Sequence, residues 1–263
     1  MAQASKIYKE INISDSEKFT KNGNEIAWGT IGNASTSEGL FFEAINTAGV
    51  LQIPMVMSVW DDGFGISVDN KQQTTKESIS KALKGLARDQ EEGIEIFTVK
   101  GWDYPALIKT YSYASKIARE KHIPVLIHVT ELTQPLGHST SGSHERYKSK
   151  KRLLWEKEYD CNLKMRDWIL FNGICDIDTL NEIESKIVKK IKEDKSEAWK
   201  EYQKPIFKVR DDLNSFLEVL ISQSNNDVQL NILHKKLNEK TVLFYHDIIS
   251  TARKSLPLLI KND

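Results

Sequence analysis

The run Ile26-Ala27-Trp28-Gly29-Thr30-Ile31-Gly32-Asn33-Ala34-Ser35-Thr36-Ser37-Glu38-Gly39 passes from a short apolar stretch into a polar turn bounded by glycines, and leads into Ser37–Gln52, where apolar residues fall at helical spacing. The reading is strand, turn, helix. Ser35 followed three residues later by Glu38 has the form of a capping box, so a helix is expected to begin here at the carboxyl end of a strand with free backbone N–H groups aimed outward. Such a start suits an anion. An ordinary capped turn between strand and helix has the same form, and this loop alone does not separate the two.

Working outward, the pattern repeats. Ile26–Ile31, Pro54–Trp60, Ile94–Val99 and Ile123–Val129 are short apolar runs rich in Ile, Val and Met, the composition of buried parallel strands. Between them, Ser37–Gln52, Thr75–Gln90 and Tyr104–Lys121 read as helices; the last sets Tyr104, Leu107, Ile108, Tyr111, Ala114, Ile117 and Ala118 on one face. The alternation β-α-β-α-β-α-β predicts the α/β class: a twisted parallel sheet flanked by helices, with ligands at the carboxyl ends of its strands. After Ser143 the composition changes to Lys/Glu-rich segments with apolar residues at helical spacing, namely Lys151–Phe171, Ile177–Glu201 and Arg210–Gln223 through Val242–Leu256. An all-helical arm is expected there, interrupted at Lys204-Pro205 and at Ser222-Gln223-Ser224-Asn225-Asn226-Asp227. Met1–Tyr8 reads as the end of a helix already packed on something, so the chain is expected to be an internal piece of a longer protein.

The second strand ends in Asp61-Asp62-Gly63-Phe64-Gly65. Adjacent carboxylates beside glycines offer oxygen ligands to a hard cation such as Mg²⁺, which commonly shares them with a phosphate; a solvated turn has the same look. Both loops should leave neighbouring strands on the same edge. An amide oxygen from Asn33, a carboxylate from Asp62 and a diphosphate at the helix start are then expected to meet at one metal.

Gly32-Asn33-Ala34-Ser35-Thr36-Ser37-Glu38-Gly39, Glu43-Ala44, Asn46, Pro54, Asp61-Asp62-Gly63-Phe64 and Ile66-Ser67 together resemble the alpha subunit of thiamine-diphosphate-dependent 2-oxo acid dehydrogenases, the E1 component. There the loops read Gly-Asp-Gly-Ala-Thr-Ser-Glu-Gly and Asn-Asn-Gly-Tyr, and the spacing from position 33 to position 62 falls within the family's spread. Gly101-Trp102-Asp103 is similar to the turn after the next strand. Gly137-His138-Ser139-Thr140-Ser141, with Tyr147 beyond, resembles the phosphorylatable active-site loop. The likeness covers roughly Gly23 to Tyr147 and, weakly, the helical arm.

The resemblance implies thiamine diphosphate and Mg as cofactors. It puts Asn33, Asp62 and the backbone carbonyl of Phe64 on the metal, and Gly32, Ala34 and Ser35 near the diphosphate. His138 falls at the diphosphate end of the cofactor near the substrate channel, and His138 with Ser139 makes up the catalytic loop. It further implies a beta subunit or beta domain that supplies the Glu for the aminopyrimidine, a lipoyl-bearing E2 acyltransferase, and a homo- or hetero-oligomer. The sequence departs from the family in exchanging amide and carboxylate between positions 33 and 62, in Gln134 where an Arg is usual, and in the loose match of Gly142 to Glu145.

On this basis residues 1–143 are expected to form the thiamine-diphosphate-binding domain, 144–204 a helical arm, and 205–263 a helical linker or docking segment. The expected function is the diphosphate- and Mg-binding part of an E1 dehydrogenase, inactive as an isolated chain; the alternative is a non-catalytic assembly module that keeps the fold for subunit contacts. The other histidines, His122, His128, His234 and His246, read as structural or surface groups, while His144 is ambiguous. Gly137-His138-Ser139-Thr140-Ser141 lacks the second glycine of a nucleophile elbow, so a hydrolase is not expected. Lys+Arg and Asp+Glu balance at 37 each for a net charge of +0, which provides no global field for nucleic acid or anionic membrane. Cys161 and Cys175 have neither disulfide-framework nor zinc spacing, and no apolar run is long enough to span a bilayer. A reducing cytoplasmic setting is expected.

Overall fold

A computed structural model of the chain describes residues 1–138, 143–224 and 227–260. Helix α1 (Ala2–Glu10) precedes strand β1 (Ala27–Gly32), helix α2 (Gly39–Leu51) and strand β2 (Met55–Trp60). A two-stranded hairpin, β3 (Phe64–Gly65) and β4 (Val68–Asp69), follows directly, then the single turn α3 (Ile79–Ala82), strand β5 (Glu95–Lys100), helix α4 (Tyr104–Lys121) and strand β6 (Val125–Thr130). The four long strands are parallel in the order β1-β2-β6-β5. Register puts Gly32 beside Trp60, and Trp60 beside Val129, so the loops after β1, β2 and β6 leave one edge together.

The period-two alternation of these strands feeds two cores. Val56, Val99, Val125, Ile127 and Val129 face α4 with Ala114, Ile117 and Ala118. Val59 and Leu126 face the opposite way, onto Phe41 and Ile45 of α2 and onto Ile79 and Leu83. A sheet buried on both faces explains why its strands read as continuous apolar runs. At the amino edge, Gly23 adopts φ +65°, and a Cβ there would lie 2.5 Å from the carbonyl oxygen of Ser5. The Gly23 carbonyl in turn accepts from the Ser5 hydroxyl at 2.8 Å and sits 2.7 Å from His122 Nε2. Only glycine allows this approach, which seats α1.

Two expectations about helices are corrected. Thr75–Gln90 is not one helix: α3 is flanked by 3-10 turns at Thr75–Glu77 and Leu83–Leu86, and Lys76 sits at φ 62°. Ile79 and Leu83 still reach the core, so burial is satisfied without a continuous helix. Lys204-Pro205 does not interrupt the arm, because α7 runs unbroken from Ile177 to Gln223. Proline removes one intrahelical bond. Its neighbours offset that loss: Ile206 is buried with Leu237, Leu243 and Ile248, and Gln203 exchanges two hydrogen bonds with the backbone of Leu243, at 2.9 and 3.1 Å.

The chain divides into two compact units, Met1–Ile174 and Cys175–Asp263. The division between them falls after Ile174. Helices α5 (Lys150–Glu158) and α6 (Cys161–Phe171) belong with the sheet, held by side chains described below. The second unit consists of α7, α8 (Val228–Asn238) and α9 (Tyr245–Ile260) around the buried residues Ile206, Leu217, Leu230, Leu237 and Leu243. No helix among the described residues is long and apolar enough to cross a membrane.

Leu126, fully buried on a central strand, tests the double-faced core. Leu126→Ala should cost about 2–5 kcal/mol of unfolding free energy in urea titrations. Leu136→Ala, at a position 80% exposed, should change it by no more than about 0.5 kcal/mol.

Candidate functional site

At the carboxyl edge, Asn33 opens the turn after β1 and is buried. Asp61 and Asp62 follow β2 and are buried as well, at 7% and 6% exposure. Gly65 holds the two loops close together: a Cβ on it would lie 2.6 Å from that of Ala34. The hairpin that begins at Phe64 folds Asn70 back between the loops, with its backbone N–H donating to the Gly63 carbonyl at 3.0 Å.

Asp61 organises a chain of directed hydrogen bonds. It accepts from the Gly63 amide at 2.8 Å, from Asn70 Nδ2 at 2.9 and 3.0 Å, and from His128 Nε2 at 2.8 Å. An ionised carboxylate only accepts, so His128 carries a proton on Nε2, while its Nδ1 lies in hydrogen-bond contact with the Ser80 hydroxyl at 2.9 Å. By the same logic Asn70 must turn its nitrogen to Asp61 and its oxygen away. That oxygen accepts from Asn33 Nδ2 at 2.6 Å. Position 33 is thus required to donate, which an Asn does and an Asp does not. Burial opposes ionisation of Asp61, yet the bonds from His128, Asn70 and Gly63 outweigh it and hold the carboxyl below the ordinary value of 3.8.

Asp62 has the contrary environment. Among the described residues its Oδ1 accepts only the Phe64 amide, at 3.2 Å, and its buried Oδ2 has no hydrogen-bond partner. His138 Nε2 lies 3.5 Å from Oδ2, beyond hydrogen-bonding reach. Burial pushes this carboxyl above its ordinary value, with His138 as the largest opposing charge. An unpaired buried carboxylate oxygen beside an amide whose nitrogen is already committed is a donor set suited to a hard cation.

The backbone of this second loop is gripped from α5. Arg152 donates to the Asp62 carbonyl at 2.6 Å, and its Nε donates to Glu156 at 2.8 Å. Lys148, with a fully buried side chain, pairs with Glu156 at 2.9 Å and sits over the Phe64 ring, which also meets Tyr147 at 5.5 Å. The loop geometry is thereby fixed by residues some ninety positions away in sequence. Nothing in the local pattern announces this, although Lys148, just before α5, and Arg152 and Glu156 within it recur every four residues.

Of the residues expected at the site, Asn33, Ala34, Asp62, Phe64 and His138 are brought to one edge. Gly32 and Ser35 lie exposed beside them. Ser139 lies outside the described residues. The capping box does not form: α2 starts at Gly39 with Glu38 at the cap and no side-chain cap bond, because Asn33–Ser37 winds into a 3-10 turn closed by the Thr36 hydroxyl on the Asn33 carbonyl at 2.6 Å. The short turn replaces the longer helix start. Asn70, Lys148, Arg152 and Glu156 were not singled out by sequence.

Two glycine-linked loops thus bring a buried set of oxygen atoms to the carboxyl edge of a parallel sheet, the place where α/β proteins of this architecture bind their ligands. The dehydrogenase E1 component family matches residues 1–206, and the chain belongs to that family. It is 31% identical over 164 residues to the mitochondrial 2-oxoisovalerate dehydrogenase subunit alpha 2 of Arabidopsis thaliana, covering 62% of this chain and 33% of that protein. It is 26% identical over 182 residues to the pyruvate dehydrogenase E1 component subunit alpha of Rickettsia bellii (strain RML369-C), covering 69% and 53%. The chain therefore spans between a third and about half the length of these relatives.

Two outcomes follow for Asp61. Its stabilisation is present above the ordinary pKa of 3.8 and lost as pH falls through the lowered folded value, so wild type and Asp61→Asn should differ in urea midpoint at pH 7 and converge in stronger acid. Asn33→Asp alone should destabilise by about 1–3 kcal/mol, since it sets two acceptors against each other at Asn70. The double variant Asn33→Asp/Asp61→Asn, in which Asn70 can reverse its amide, should recover most of that loss. Additive costs in this cycle would refute the chain of bonds.

Proposed function

We propose that this chain is the cofactor-holding part of a 2-oxo acid dehydrogenase E1 component of alpha-subunit type, acting with thiamine diphosphate and Mg²⁺. Membership of the E1 family supports this, and one observation carries it to named residues: the buried, unpartnered Oδ2 of Asp62 on the edge that also presents Asn33. Asn33, Asp62 and the carbonyl of Phe64 would hold the cation; Gly32, Ala34 and Ser35 border the space for the diphosphate. When bound, the thiazolium of thiamine diphosphate supplies the carbon nucleophile and electron sink for loss of CO₂ from a 2-oxo acid. His138 stands beside Asp62 in position to donate a hydrogen bond or proton to a phosphate oxygen or to substrate, and Ser139 belongs to the same loop. Arg152 would steady the backbone of this loop through its hydrogen bond to the Asp62 carbonyl at 2.6 Å. The walls that complete the cofactor site would come from a beta subunit or domain, and acyl transfer would go to a lipoyl-bearing E2 partner, so the isolated chain is read as inactive. The exchange at positions 33 and 62 favours a second reading, a non-catalytic module that retains the fold for subunit contact.

Binding separates the two readings. Calorimetry of the full protein with its beta partner should show Mg²⁺-dependent thiamine diphosphate binding that Asp62→Asn weakens at least about tenfold, a loss of roughly 1.4 kcal/mol. The same variant, relieved of an ionised buried carboxylate, should raise the thermal midpoint at pH 7 in the absence of Mg²⁺. Wild-type binding with no Mg²⁺ dependence, or none at all, would leave the assembly reading standing.

A further inference from the structure

Helix α5 has two unlike faces. Arg152 and Glu156, one turn apart, grip the second loop together with Lys148 just ahead of the helix. Lys150, Leu154 and Lys157 recur at four- and three-residue spacing on the outer side, and Leu154 is 67% exposed. Residues 145–158 carry six cations against three carboxylates, in a chain whose overall balance is +0. Of the carboxylates, Glu156 is buried and committed to Lys148 and Arg152. Arg146, Lys150, Lys151 and Lys157 are left exposed, none of them in an ion pair among the described residues, with only Glu145 and Glu158 of this segment to offset them. The result is an exposed leucine ringed by unpaired cations, on the helix that holds the second loop of the candidate site.

We propose that this outer face of α5 is the docking surface for an acidic face of the protein domain that delivers the acyl acceptor. The proposal rests on the acyl-transfer reading above, and adds where on this chain the lipoyl-bearing partner is met and by what charge. An acceptor must reach the site and leave it at every turnover. Contact therefore has to form fast and break fast. Charges of one sign around a small contact suit this, because long-range attraction raises the association rate more than the affinity, and a single apolar anchor keeps the contact small and transient. The place is apt as well. Lys148 sits over the Phe64 ring and Arg152 donates to the Asp62 carbonyl, so a domain seated on the outer side of α5 stands about one helix diameter, roughly 10 Å, from that loop. Nucleic acid and anionic membrane fit the patch less well: the chain as a whole carries no net charge, and α5 would offer a bilayer one exposed leucine from this face.

The test uses the full protein with its beta partner, and the lipoyl-bearing domain of the E2 acyltransferase as probe. In fluorescence anisotropy, Lys150→Glu/Lys151→Glu should weaken binding of that domain about tenfold or more and flatten its dependence on salt, whereas Lys150→Arg/Lys151→Arg should bind as wild type does. Both lysines are exposed, so helix content by circular dichroism should not change. In turnover, kcat/KM for the domain should fall by the same factor, while kcat/KM for free lipoamide, which has no protein face, stays at the wild-type value. No binding by wild type, binding indifferent to charge reversal, or equal losses with the domain and with free lipoamide would each overturn the proposal. So would a wild-type preference for phosphatidylglycerol vesicles or duplex DNA over the domain. Charge-sensitive binding of the domain by a protein that does not decarboxylate 2-oxo acids would uphold the docking surface and refute the function assigned to the site.

Discussion

The orientation of one amide, that of Asn70, governs the carboxyl edge of the sheet. Asp61 can only accept, so the nitrogen of Asn70 must face it, and its oxygen must face Asn33. His128 and Ser80 continue the chain of bonds on the other side. Five side chains from the loops after β1, β2 and β4, from β6 and from α3 thus share one polarity, and reversing any member strands a buried donor or acceptor at about 1–3 kcal/mol. The exchange of amide and carboxylate relative to the family acquires a physical reason here. With Asp at position 61 where the family has Asn, Asn70 is forced to present its oxygen to position 33, and position 33 must then be an amide.

Asp61 and Asp62 are neighbours in sequence and opposites in chemistry. The first collects hydrogen bonds from three directions and stays ionised; the second is buried with one oxygen satisfied by a single amide and the other by none. Two adjacent carboxyls are driven in opposite directions by their surroundings, the first lowered and the second raised. Gly63, at φ +86°, makes the division possible, because the backbone reverses there and sends the two side chains into different surroundings.

The strands, α2 and α4 were legible because their apolar runs and periodicities are strong, and the edge that carries Asn33 and Asp62 follows from β-α-β alternation alone. What failed did so for tertiary reasons. Thr75–Gln90 has helical spacing, but only Ile79 and Leu83 need to reach the core. Pro205 marks a break that Gln203 and Ile206 override through contacts with Leu243, forty residues away. The clamp of Arg152 on the Asp62 carbonyl joins segments with no shared local signal, and the capping box gave way to a 3-10 turn because Thr36 bonds back to Asn33 before Ser35 can cap α2.

The charges around the second loop point in one direction. Two cations, Lys148 and Arg152, approach it, and both are already engaged by the buried carboxylate of Glu156. Asp61 is stabilised by His128, Asn70 and the Gly63 amide, and Asp62 has His138 at 3.5 Å as its largest opposing charge, ahead of Lys148 and Arg152. Against the two cations the cluster sets three carboxyl groups, Asp61, Asp62 and Glu156. A protein that needed only a stable turn would do better with Asn at position 62, since an isolated buried carboxylate lowers stability at neutral pH. On the function proposed above, the carboxylate at position 62 would be matched by an oxygen-seeking cation that carries a phosphorylated cofactor.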